Sequence, residues 1–211
     1  MHRRLLIPVV ITAPLLVGCL VKDTTHRLYL SPDGAVEWTV LERDVRSSDG
    51  APAERWREEQ AYLDGLHTGM HPVQEAFRHL NPDASSIRLL RPERPYATLA
   101  KARFQRVDVL IARLFEELSI PGSAALRQRE DELTLAVSVD LSGLDERDTE
   151  IPSPVVALLE DFDRYRIVLT AGSFVSAEGF AIVDEGTAAE LKPEQVPVDR
   201  PAQLRLTWKV R

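Results

Sequence analysis

The sequence predicts an α+β fold: an antiparallel sheet with about three helices packed on one face. Three observations carry that expectation. Several stretches alternate apolar and polar residues, as in Leu133, Leu135, Val137, Val139 and Leu141, the period of a half-buried strand. Val107, Leu110, Ile111, Leu114, Phe115 and Leu118 recur at helical spacing and form one apolar stripe. The breaks between such stretches are short, which favours antiparallel neighbours with one face solvated or covered by helices.

The elements follow in order. Leu28 and Leu30, then Val36, Trp38 and Val40, flank Ser31-Pro32-Asp33-Gly34. Proline second and glycine fourth in that tetrapeptide is turn chemistry, so a β-hairpin is expected. After Asp49-Gly50, the run PAERWREEQAYLDGLHTG starts with proline and is rich in helix formers. Val73, Ala76, Phe77 and Leu80 behind Pro72 give a second, short helix ending before Pro82. Residues 85–105 read as strand, proline-rich turn and strand, and the stripe from Val107 is the third helix. Beyond Pro121-Gly122 strands dominate: around 133–141, then RYRIVLTAG, AIVDEGTAAEL and AQLRLTWKV, with a helical turn or two at SPVVALLEDF. In the last strand Leu204, Leu206, Trp208 and Val210 share a face.

The N-terminus supplies the address. Arg3 and Arg4 precede an apolar run from Leu5 to Val17 that contains Pro8 and Pro14. That run falls short of the roughly 20 apolar residues a membrane-spanning helix needs and suits a secretory signal. It closes on Leu16-Val17-Gly18-Cys19, and Cys19 is the one cysteine of the 211 residues. This tetrapeptide resembles the lipobox of bacterial lipoproteins. The resemblance implies cleavage between Gly18 and Cys19, acylation of the Cys19 thiol, and anchoring by two or more acyl chains, which hold where one does not. Leu20, rather than aspartate, follows the cysteine and points to the periplasmic face of the outer membrane over the inner membrane. The expected organisation is a signal peptide over 1–18, the lipidated cysteine and a short tether over 19–25, and a single domain over 26–211. One cysteine excludes a disulfide framework.

The formal net charge of −7 becomes more negative once the two signal-peptide arginines are removed. Acidity of that kind argues against nucleic acid and against electrostatic adsorption to anionic lipid as the means of attachment. The membrane partner is reached through Cys19, and an envelope protein or a lipid is the further partner expected.

Candidate chemistry is sparse. His67 and His71 stand four apart, but Gly69 and Pro72 interrupt the helix they would need, and His79 would have to fold back to complete a metal site. In Asp140–Glu150 five acids cluster, yet Gly143 is fourth where a calcium loop requires glycine sixth. Glu58 and Glu59 point about 100° apart on a helix and should not converge as an acid–base pair, and Asp161 and Asp163 suit a turn. Nucleophile elbow, P-loop and dinucleotide fingerprint are absent from the sequence. Trp38, Trp56, Trp208, Tyr29, Tyr62 and Tyr96 could line a groove, although the parity of Trp38 and Trp208 favours the core. No catalytic residue, cofactor or metal is expected.

Arg164–Gly179, RYRIVLTAGSFVSAEG, and Leu204–Val210, LRLTWKV, are similar to the strand–Gly–strand ending of small LppM-like envelope lipoproteins. The SPDG hairpin close behind Cys19 resembles their start. The likeness covers two short ends, with no counterpart over residues 51–130 and no functional motif. It implies a groove against the sheet that holds glycolipid. The function expected is thus a lipid-anchored, non-catalytic binding or structural module of the cell envelope. A lipid or glycolipid carrier with an apolar groove between sheet and helices is the alternative, and an envelope enzyme comes third.

Overall fold

A computed structural model describes residues 20–142, 154–155, 166–192, 196–197 and 200–209. Cys19, Gly18, most of the Asp140–Glu150 cluster, Asp161, Asp163 and Val210 lie outside these residues.

The first hairpin pairs β1 (Leu20–Leu30) with β2 (Val36–Ser47) through the SPDG turn. Gly34 N–H donates to the Ser31 carbonyl at 2.9 Å, and Asp33 accepts from Ala35 N–H at 3.1 Å. Since β1 begins at Leu20, the residues expected as tether are strand from that position onward. Next come α1 (Pro52–Thr68), with proline in its first turn and Gly69 as left-handed C-cap, and α2 (Pro72–His79), N-capped by His71. The antiparallel pair β3 (Ala84–Arg91) and β4 (Tyr96–Phe104) precedes α3 (Val107–Glu117). Strands β5 (Gly122–Arg129) and β6 (Glu132–Val139) form a second hairpin. The remaining strands are β7 (Arg166–Leu169), β8 (Ser173–Glu178), β9 (Phe180–Val183), β10 (Ala188–Leu191) and β11 (Ala202–Lys209).

These strands make two sheets. The larger has seven strands in the order β3-β4-β2-β1-β7-β10-β9, and the smaller four in the order β5-β6-β11-β8. The expectation of one antiparallel sheet with about three helices packed on one face is therefore corrected. The protein is mostly sheet, its strands divide between two sheets, and its helices divide as well. Helices α1 and α2 contact the β2–β4 region of the larger sheet, whereas α3 lies mainly over β5 of the smaller. Pairing is also mixed. Leu28, Tyr29 and Leu30 of β1 run parallel to Ile167, Val168 and Leu169 of β7. Alternation reports which face of a strand is buried, but it carries no information on which sheet the strand joins or in what direction.

The inward residues of both sheets meet in one apolar cluster. Trp38, Val36 and Leu30 from the larger sheet join Phe77 and Leu80 at α2, Leu110 of α3, and Leu135, Leu206 and Trp208 of the smaller. Trp38 and Phe77 stack edge to face with centroids 5.6 Å apart, a favoured aromatic geometry. The SPDG turn joins the layers: Gly34 carbonyl accepts from Val107 N–H of α3 at 2.9 Å, and Pro32 carbonyl accepts from the Trp208 indole at 3.3 Å.

Candidate binding face

The helices cover one side of the β1-β2-β4 region and leave the other open. Residue parity decides which side chains appear there. On β2, Val36, Trp38, Val40 and Glu42 point inward and are buried, while Glu37, Thr39, Leu41 and Arg43 share the opposite face, where Thr39 lies low at 8% exposure between Arg27 and Lys101. On β4, Ala100, Ala102 and Phe104 point inward, which leaves Leu99, Lys101 and Arg103 outside. On β1 the outward set is Thr25, Arg27 and Tyr29.

Register then places these residues in rows. Arg27 stands opposite Thr39, and Thr39 opposite Lys101. One step along, Tyr29 faces Glu37 and Glu37 faces Arg103; one step the other way, Thr25 faces Leu41 and Leu41 faces Leu99. The result is an open concavity of about 620 Å³, within the size range of ligand sites. Its described lining holds four cations, Arg27, Arg43, Lys101 and Arg103, against one acid, Glu37. Lys101 pairs with Glu37 at 2.7 Å and Arg43 with Asp23 at 2.7 Å. Arg27 reaches only the Tyr29 hydroxyl, at 3.5 Å, and Arg103 has no carboxylate partner among the described residues. Two guanidinium groups on a concave face are thus available to an anionic group. Arginine presents a planar fork of donors that matches carboxylate and phosphate oxygens.

The other polar cluster is sealed. Glu42 and His71 are each 1% exposed beneath α1 and α2. Glu42 accepts from the Tyr62 hydroxyl at 2.7 Å, the Thr98 hydroxyl at 3.1 Å and Lys22 Nζ at 2.6 Å. Val73 N–H donates to His71 Nδ1 at 3.3 Å, so the imidazole proton sits on Nε2, which lies 3.3 Å from Glu42 Oε2. Burial pushes the Glu42 carboxyl up, but the contact with His71 and the charge of Lys22 outweigh it and hold the group well below the usual carboxylate range. Burial, then the charge on Glu42, pushes the Tyr62 phenol up. The cluster joins two helices to the sheet, with Glu42 and His71 buried and Lys22 reaching in from a partly exposed position.

The sequence-derived candidates separate accordingly. His71 caps α2 inside the core, His67 is exposed on α1, and His79 pairs with Glu117 at 3.3 Å. No three His, Cys, Asp or Glu among the described residues are grouped to hold a metal ion. Glu58 and Glu59, expected to diverge, both reach Ser47. Glu58 accepts from its hydroxyl and Glu59 from its backbone N–H at 3.0 Å, with Arg94 3.0 Å from Glu59. Trp38 and Trp208 are core residues, Tyr62 belongs to the sealed cluster, Trp56 is 67% exposed on α1, and Tyr29 alone of the six aromatics lines the open face. Between the larger sheet and α2, Trp38 packs against Phe77, and Val73, Ala76 and Leu80 are buried. The open concavity is on the opposite side.

The cationic residues of this face were not singled out from sequence. LAKARF contains the signal, with cations at alternate positions opposite two alanines and a phenylalanine. Their convergence with Arg27 depends on the order β4-β2-β1, which pattern alone does not supply.

No family model matches the chain, and no curated protein matches it. Among solved structures it is similar to the NMR structure of the folded domain of LppM from Mycobacterium tuberculosis. Identity is 12%, 89% of each chain is covered, and the TM-score is 0.37. A likeness at that score carries no argument about residues or ligands.

Proposed function

We propose that this chain is a lipid-anchored module of the cell envelope that acts by binding, without catalysis, through the helix-free face of its larger sheet. The observation that carries this reading is the concave face itself, with Arg27 and Arg103 lacking a carboxylate partner among the described residues. The anchoring part rests on the Leu16–Cys19 lipobox. Absence of catalysis is supported by the position of the most perturbed titratable groups. Such groups mark active sites when they line a cleft, whereas Glu42 is inaccessible.

Two experiments test it. A photo-crosslinking side chain at Thr39, the centre of the face, should give a discrete adduct in intact cells. The same side chain at Thr134, on the outer side of the smaller sheet, should not. Equal labelling from both positions, or none from either, would remove the face from consideration. Separately, Cys19→Ser should abolish fatty-acid labelling and release the protein from membranes; unchanged labelling would sink the anchoring part.

A further inference from the structure

The position of the anchor relative to the face has a consequence that neither has alone. Lipidation at Cys19 places acyl chains one residue before β1, because the strand starts at Leu20. No flexible segment intervenes to let the domain tumble away from the bilayer. Strand rise puts Thr25, the first residue of the concavity, only about 20 Å from the acylated position. The near end of β1 presents Val21, 44% exposed, opposite Arg46. Farther along the same strand stands Arg27, with Lys101 and Arg103 two strands away.

Charge is unevenly distributed in a way that matches this arrangement. The whole chain is net acidic, at −7, yet the described lining of the face carries four cations and one acid. Near an anionic lipid surface the acidic remainder is repelled and the face is attracted, each within a Debye length of about 8–10 Å. An anchored domain cannot escape by diffusion, so the field acts on its orientation. We propose that the face lies against the leaflet that holds the anchor, with Arg27 and Arg103 engaging the phosphate of an anionic phospholipid headgroup. Leu41 and Leu99 line the same face one row nearer the anchor, level with Thr25. This rests on the lipid-anchored reading above and adds its occupant.

The test uses the lipidated protein reconstituted into phosphatidylcholine vesicles, with or without phosphatidylglycerol. A fluorophore at Ser86→Cys, exposed on β3 opposite Lys101, reports contact through quenching by brominated lipid. A second at Ser123→Cys, exposed on β5 and in register with Ser138 on the outer side of the smaller sheet, reports the far side. Quenching at position 86 should rise several-fold with phosphatidylglycerol and fall with added salt, while position 123 stays unquenched. Arg27→Glu with Arg103→Glu should return position 86 to its phosphatidylcholine level. Arg127→Glu with Arg129→Glu, the same charge change on exposed residues of β5, should leave it quenched.

Quenching at 86 that ignores phosphatidylglycerol, or survives the Arg27/Arg103 reversal, would overturn the proposal. So would its loss to glycerol 3-phosphate at an ionic strength where sodium sulfate has no effect, since the site would then belong to a soluble phosphate. Failure to enter vesicles at all would instead defeat the lipid-anchored reading. Stable insertion without phosphatidylglycerol-dependent quenching, alongside Thr39 adducts in cells, would leave the binding face standing with a different occupant.

Discussion

Glu42 sits at an inward position of β2, two residues beyond Val40, where its neighbours are apolar. A carboxylate there is tolerated because four groups serve it: the Tyr62 and Thr98 hydroxyls, Lys22 and His71. Glu42→Gln removes the charge that Lys22 pairs with and puts an NH2 donor where one acceptor oxygen stood among donors, and removing one partner of a buried pair costs on the order of 3 kcal/mol. Glu42→Gln should therefore lower unfolding stability by about that amount at neutral pH, read by urea denaturation. Its acid profile should change too. A carboxyl held below its ordinary value of 4.5 contributes stability above that pH and loses it as pH falls toward the folded-state value. The wild-type chain should lose stability progressively below about pH 4.5, and Glu42→Gln should show a flatter decline; parallel curves would deny Glu42 this role. Glu42 was not singled out from sequence, although in VEWTVLERD it falls in phase with Val36, Trp38 and Val40. Its partners come from α1, α2, β1 and β4, and no local pattern names them.

At the scale of the element, the SPDG hairpin is where sequence and structure agree most closely, because turn chemistry is local. Proline, aspartate and glycine occupy the positions that the turn requires, and the flanking alternation sets the register. Gly34 has φ +89°, and a Cβ there would stand 2.3 Å from Leu126 Cδ2 of β5. Gly34→Ala should cost about 1–3 kcal/mol from backbone strain and displacement of Leu126. Gly50→Ala, with open space around it and no positive φ, should be close to neutral. A thermal shift of similar size for both would remove the argument from close approach. Strands β5 and β8 were hard to read for the opposite reason. GSAALRQR is small and polar at an edge of the smaller sheet, with most of its residues exposed or half-buried, so no alternation marks it. The third helix was legible because its stripe spans three turns.

At the scale of the molecule, two sheets and three helices meet around one turn. Trp208 of β11 is fully buried, contacts Phe174 at 6.3 Å and donates its indole N–H to Pro32. It ties the smaller sheet to the hairpin of the larger. Trp208→Ala should cost about 3–5 kcal/mol, and hydrogen exchange should show protection falling in both sheets together. Loss confined to β11 and β6 would mean that the sheets behave as separate cooperative units. That coupling was unreadable from sequence, since Trp208 and Pro32 stand far apart along the chain.

The parallel pairing of β1 with β7 bears on the order of events during synthesis. Leu28 finds Val36–Trp38 of the hairpin at once, but its other neighbour, Ile167, emerges only after most of the chain. Non-local parallel contacts of this kind slow folding, since loop closure is spent before the pairing returns it. Until β7 arrives, β1 presents an unpaired edge of backbone donors and acceptors, the sort that templates aggregation. On the proposed lipid-anchored reading, a strand that starts at Leu20 waits beside the bilayer with this edge open until residues 166–169 are available to it.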